Sequence, residues 1–197
     1  MNMKFDRENL KSIIENRRTI YPEQFSGKKV SKEDIAMILE SARFAPTHKS
    51  TEPWRFKVFS GKGLETLSNF QSEKYKEITA KEEFNRGKYD KMKSRPLAST
   101  AMIAVCMTRD VKESVPEIEE IIATAAALEN MFLTGTSMGI AMSFLTGGMT
   151  DTKEMKQFLN LREKDIHLGF FYLGYIDTDW PKVKKRKAID EFTEWSE

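Results

Sequence analysis

Apolar residues recur at helical spacing from the start of the chain. Leu10, Ile13, Ile14 and Arg17 fall at i, i+3, i+4 and i+7, which predicts a helix over Asp6 to Arg17 with a guanidinium at the end of its apolar stripe. A second helical pattern runs from Ser31 to Phe44, with Ser31 as N-cap, Asp34 at capping-box spacing and Ile35, Ile38, Leu39 and Ala42 as the buried stripe; Pro46 ends it. From Trp54 to Phe59 aromatic and aliphatic residues alternate with Arg55 and Lys57, a strand pattern in which Trp54 reads as a core aromatic. Ala101 to Met107 is a continuous apolar strand, and Leu168 to Ile176 an aromatic one. Residues 61–95 between them are charged and helix-forming. Glu117 to Met138 carries apolar residues on nearly every face, the pattern of a central helix buried all round. Asp151 with Glu154 predicts the start of a further short helix.

Strands scattered among helices without strict alternation predict an α+β layer, and no GxGxxG follows a strand, so a resident dinucleotide is not expected. Met131 to Thr150 has no charge and is long enough to suggest a membrane span, but Gly135, Gly139, Gly147 and Gly148 break it into a helix end, a short strand and a turn.

Composition narrows the function classes. The chain has 197 residues, enough for one domain over 1–197 with a real core and too few for separate cofactor and substrate domains. A net charge of +2 with both signs interspersed is not a nucleic-acid footprint, so small-molecule partners are expected. The single cysteine, Cys106, lies in an apolar run and reads as an inert core residue suited to a reducing compartment. One cysteine and two widely spaced histidines imply no metal site. The first residues, MNMKFDRENL, lack the apolar core of a secretion signal, which gives the expectation of a cytoplasmic protein without a membrane anchor.

Three segments carry candidate chemistry. Arg17, Arg18 and Thr19 offer a fork of donors suited to phosphate at the point where the first helical pattern stops. The stretch APTHKSTEPWRF runs from Ala45 to Phe56, and KVKKRK from Lys182 to Lys187; a basic run alone is usually a solvated face. In their order and spacing these segments resemble the nitroreductase family of FMN-dependent, NAD(P)H-oxidising enzymes nearly end to end, closest to a short branch whose second motif reads APxHKSxxPWxF. Ser50 and Glu52 depart from the Asn and Gln that many relatives carry there, and Phe44 before Ala45 from the Arg of some close relatives.

The resemblance implies an α+β fold with a central, mainly antiparallel sheet flanked by helices, assembled as an intertwined homodimer with FMN at the subunit interface. It implies that Arg17, Arg18 and Thr19 hold the FMN phosphate and ribityl chain together with Lys184 and Arg186. It implies that Pro46, Thr47 and His48 reach the flavin from the partner subunit, and that Leu145, Thr146 and Gly147 form a turn against the ring. NAD(P)H would deliver hydride and a nitroaromatic, quinone or related acceptor would remove it in a ping-pong cycle, with no side chain nominated as catalytic acid or base. The aromatic C-terminal arm, with Phe192 and Trp195, is expected to be covered by a partner, and residues 70–95, with Phe84 and Tyr89, to form a substrate lid. A flavin carrier or sensor without turnover and a helical interaction protein with a basic tail are the readings from other classes.

Overall fold

The computed structural model describes residues 5–196. In chain order it contains α1 (Arg7–Asn16), α2 (Lys32–Ala42), β1 (Trp54–Ser60), α3 (Lys62–Ile78), α4 (Arg86–Ala98), β2 (Ala101–Met107), α5 (Glu117–Ser137), β3 (Ala141–Leu145), α6 (Lys153–Leu159) and β4 (Ile166–Gly174). A C-terminal arm follows, with one 3-10 turn at Ile189–Glu191. Helix starts follow the local chemistry: Asp6 Oδ1 accepts from Asn9 N at 2.9 Å, and Ser31 Oγ from Asp34 N at 3.0 Å. Helix α6 begins one residue later than Asp151 predicts, because the Thr152 hydroxyl takes the capping bond from Met155 N at 3.2 Å.

The strand order is β1-β2-β4-β3 and every pairing is antiparallel, which makes this an α+β fold as expected. The alternation of strand side chains splits the interior into two layers. Ile103 and Val105 of β2 and Phe171 and Leu173 of β4 face Ile35 and Ile38 of α2 and Ala127 and Met131 of α5. Met102, Ala104 and Cys106, with Phe170 and Tyr172, face Leu67 and Tyr75 of α3, Met92 of α4 and Met155 of α6. Strand β2 is therefore buried on both sides, which is why its sequence is a continuous apolar run. Trp54 is buried at the start of β1, while Phe59 points to the opposite layer. Cys106 is also buried; burial, with the Asp165 charge nearby, pushes its thiol up to about 12, which makes it unreactive.

Two helices differ from their patterns. No residue of α1 is buried, and Leu10 and Ile14 face outward. Helix α5 is buried along one side but exposes Ile118 and Ile122, so it is not covered all round within a single chain. In both cases apolar spacing identifies the stripe but not what covers it. Among the described residues no helix is long and apolar enough to cross a membrane.

A bulge adjusts the first half of β4. Register shifts between Val105 and Cys106, which pair with Gly169 and His167 and skip Leu168. Gly169 has φ +149°, and a Cβ there would sit 2.6 Å from the Leu145 carbonyl and within 3 Å of the Phe144 ring. Glycine thus lets β4 pass directly against the end of β3, where the chain turns away at Thr146 and Gly147.

Candidate functional site

The end of α1 and the C-terminal arm enclose a cavity of about 1010 Å³. Arg17, Arg18 and Thr19 line one side, and residues 181–186, with Lys184 and Arg186, line the other. Six cationic side chains line this cavity against two carboxylates, Glu15 and Glu129. Two segments about as far apart in sequence as the chain allows thus line one cavity.

Arg18 is the joint between them. Its Nη1 donates to the Glu15 and Arg17 carbonyls at 2.7 and 2.8 Å, and its Nε to those of Pro181 and Lys182 at 3.0 and 3.2 Å. One guanidinium caps α1 and staples the arm to it, helped by Trp180 Nε1, which donates to Asn16 O at 2.8 Å. The remaining nitrogen, Nη2, is buried without a hydrogen-bond partner. A buried donor left unpaired is costly, and this one lies in a cavity lined by cations. A phosphate ester supplies both the missing acceptor and the missing charge, so these residues fit the phosphate end of FMN.

Arg17 meets the requirement for an anionic partner within the chain. Its Nε lies 3.8 Å from Glu129 Oε1 and its guanidinium carbon 5.3 Å from the centre of the Phe132 ring. Burial pushes the Glu129 carboxyl above its ordinary value, with Arg17 opposing. Glu129 was not signalled by the sequence, because an acid on a long apolar helix carries no motif.

The remaining expected residues lie elsewhere in the chain. Pro46 and His48 are exposed and Thr47 is partly buried, in the loop after α2. Lys49, Ser50 and Glu52 there adopt positive φ of 49°, 52° and 42°. Thr47 Oγ1 accepts from Glu52 N at 3.2 Å, His48 Nδ1 bonds the Glu119 carboxylate, and Lys49 Nζ donates to Ser114 O at 2.8 Å. The loop is held against the start of α5 and none of its residues lines the arginine cavity.

Leu145, Thr146 and Gly147 line a separate cavity of about 820 Å³. Its walls come from Tyr21, from α4 through Lys88, Lys91, Met92 and Arg95, and from Phe170 and Tyr172 of β4. Phe84 and Tyr89, expected in a lid, are instead packing residues. Tyr89 is buried, its hydroxyl donates to Glu73 at 2.6 Å, and Phe84 lies between it and Tyr75 with ring centres 6.0 and 5.6 Å away. The face of α4 that does line the cavity is the charged one, where periodicity suggested only solvated surface.

The turn is fixed from behind. Thr150 Oγ1 donates to Gly147 O at 2.8 Å, and His167, buried on β4, has Nδ1 3.2 Å from Thr150 O and Nε2 3.0 Å from Gly169 O. Burial holds the His167 pKa below its ordinary 6.5 although both carbonyls favour the protonated ring. The folded chain therefore binds fewer protons at this site than the unfolded chain, so unfolding takes up a proton. The stabilisation is complete above about pH 6.5 and shrinks as pH falls through the lower folded value. Denaturant unfolding at several values between about pH 7 and pH 5 should show stability falling with pH, and His167→Gln should flatten that slope. Identical slopes would rule the linkage out.

Comparison with known proteins agrees with this fold. The profile of the nitroreductase family matches residues 14–175. A Bacillus subtilis protein provisionally named NAD(P)H nitroreductase YfhC is 31% identical over 187 residues, covering 94% of this chain and 93% of that protein. A crystal structure of a nitroreductase-like family protein from Bacillus cereus superposes with a TM-score of 0.83 at 26% identity, covering 100% of this chain and 99% of the other. The FMN-dependent nitroreductase NfnB of Mycobacterium smegmatis, solved in complex with NADPH, shares the fold with a TM-score of 0.72 at 17% identity, covering 96% and 99% of the two chains.

Proposed function

This chain belongs to the nitroreductase family, and on that premise we propose that it is an FMN-dependent oxidoreductase that takes electrons from NAD(P)H and passes them to nitroaromatic, quinone or related acceptors. The observation that carries the reading is the arginine cavity, where an unpartnered Arg18 nitrogen and a cationic lining meet the needs of a phosphate monoester. FMN, when bound, supplies the hydride chemistry.

The chain's own contribution is placement and electrostatics. Arg18, Lys184 and Arg186 hold the phosphate end, and Thr19 adds a hydroxyl donor. Arg17, already engaged with Glu129 and Phe132, orients the rim. Thr146 and Gly147 are exposed residues of the turn, and their backbone amides are the donors suited to negative charge that develops on the ring during reduction. Gly169 and His167 keep that turn in place.

The reading includes a homodimer. Leu10 and Ile14 of α1, Ile118 and Ile122 of α5, and Phe192 and Trp195 of the arm are all more than half exposed, a large apolar surface for one chain to leave in water. A partner covering it would bring the loop of Pro46, Thr47 and His48 to the neighbouring flavin. Sedimentation velocity at micromolar concentration should give twice the chain mass, and a monomer would remove the shared site.

The visible absorption spectrum of the purified protein, before and after anaerobic addition of NADH and then NADPH, tests the activity. Flavin bands that bleach with either donor are expected. A yellow protein that neither donor bleaches would leave a carrier, and a colourless one that takes up no added FMN would overturn the reading.

A further inference from the structure

The cavity beside the Thr146 and Gly147 turn has a one-sided charge. On α4, Lys88, Lys91, Met92 and Arg95 stand at i, i+3, i+4 and i+7, so the helix presents three of its cations to the cavity along one stripe. Asp90, off that stripe, pairs with Arg86 at 3.0 Å. Among the described residues no Asp or Glu lines the cavity.

The three cations are not equally committed. Arg95 Nε donates to Glu23 at 2.7 Å; burial raises the Glu23 pKa, but the Arg95 bond, a backbone hydrogen bond and the charges of Arg95 and Lys91 together outweigh it and the net shift is downward. Lys88 and Lys91 form no ion pair among the described residues. Lys88 Nζ lies 4.8 Å over the Tyr75 ring, a contact that positions the ammonium without neutralising it. Phe170 and Tyr172, both largely buried, line the same cavity as its aromatic wall. Charge beside an apolar wall acts through a lower local dielectric than charge on an open surface.

We infer that this cavity selects acceptors carrying an anionic group on an aromatic body, with Lys88 and Lys91 setting the preference; the inference rests on the proposal that the adjoining turn faces the flavin. The aromatic wall takes the ring and the lysines take the carboxylate or sulfonate. At about 820 Å³ the cavity is in the usual range for small-molecule sites and has room for a substituted arene. For a nitrobenzoate the reaction balances as a two-electron reduction. NAD(P)H gives a hydride and solvent a proton, one N–O bond breaks, and nitrosobenzoate, water and NAD(P)+ result. The carboxylate is unchanged and serves only in recognition.

The test uses 4-nitrobenzoate and its neutral counterpart 4-nitrobenzamide, first as ligands of the flavin-loaded protein without reductant, then as acceptors with NAD(P)H. The wild type should favour the carboxylate about tenfold or more in Kd and in kcat/KM, the effect of one charge-assisted contact. Added salt should narrow the ratio. In the Lys88→Gln/Lys91→Gln double variant both ratios should fall to within about twofold of one, since the charge is gone and the stems remain. A wild-type ratio near one, or a preference that survives the double variant, overturns the inference. The two proposals fail separately. Turnover of both probes without preference removes the anion pocket and keeps the oxidoreductase. A binding preference that the double variant abolishes, with no oxidation of NAD(P)H by either probe, keeps the pocket and removes the oxidoreductase.

Discussion

Replacing Glu120 with alanine is expected to cost about 3–5 kcal/mol of folding stability, the scale of breaking a buried ion pair from one side. Glu120 is 1% exposed near the start of α5. Its carboxylate accepts from Arg109 Nη1 and, at 2.9 Å, from Asp110 N. Arg109 Nη2 donates to Val115 O at 2.7 Å, and its backbone N to Asp165 Oδ1 at 3.0 Å. Asp165 in turn accepts from Arg162 Nη2 at 2.8 Å. These bonds tie the segment after β2 to α5 and to the residue before β4. With Glu120 gone, the mostly buried Arg109 charge has lost its partner.

For a chain of this size the loss corresponds to a fall in Tm of about 6–20 °C, readable by circular dichroism. A change within about 2 °C would sink the assignment. Replacing both partners, Glu120→Ala with Arg109→Met, should recover much of the loss, because a buried pair exchanged for apolar groups is often neutral. The effect should extend to function. The loop carrying Pro46, Thr47 and His48 leans on this same segment through His48 with Glu119 and Lys49 with Ser114, so flavin retention should fall with stability.

Arg18→Ala should weaken FMN binding by about 1.5–3 kcal/mol, roughly 10- to 150-fold, the range for charge-assisted hydrogen bonds. Flavin fluorescence titration of the apoprotein measures it. The structure adds a second expected consequence. Four carbonyls, those of Glu15, Arg17, Pro181 and Lys182, lose their donor, so the arm should become more sensitive to limited proteolysis. Arg18→Lys should rescue little, since one ammonium cannot span carbonyls on two segments and still face a phosphate. Arg186→Ala should weaken FMN without releasing the arm. Equal FMN affinity in the Arg18→Ala and Arg186→Ala variants and the wild type would count against the site.

Several expected features are visible in the sequence for identifiable physical reasons. Strand β2 begins and ends where its apolar run does, because a strand covered on both faces excludes charge. Helices α1 and α2 start where Asp6 and Ser31 cap them, since a cap is a local bond between residues three apart. The pairing of Arg17 and Arg18 with Lys184 and Arg186 was legible through resemblance, not through periodicity. Less was legible where the outcome depends on what lies opposite. The charged stripe of α4 and the solvated stripe of an ordinary surface helix have the same spacing, and only the packing of α4 beside Phe170 and Tyr172 distinguishes them. Phe84 and Tyr89 looked like lid residues because they stand among charges, yet their rings turn inward onto Tyr75.

The sequence by itself determined most of the elements, the caps of α1 and α2 and the α+β character, because these follow from local spacing and residue chemistry; the antiparallel sheet and the proposed phosphate-binding set were legible only through family resemblance. The tertiary structure decided the rest. It made Arg18 a staple with one nitrogen to spare, gave Arg17 to Glu129, put the Thr146 and Gly147 turn beside the cations of α4, and left α1 and part of α5 uncovered. Those outcomes depend on which surfaces meet across long separations in the chain, and neither the period of an amphipathic helix nor the count of its charges specifies its neighbour.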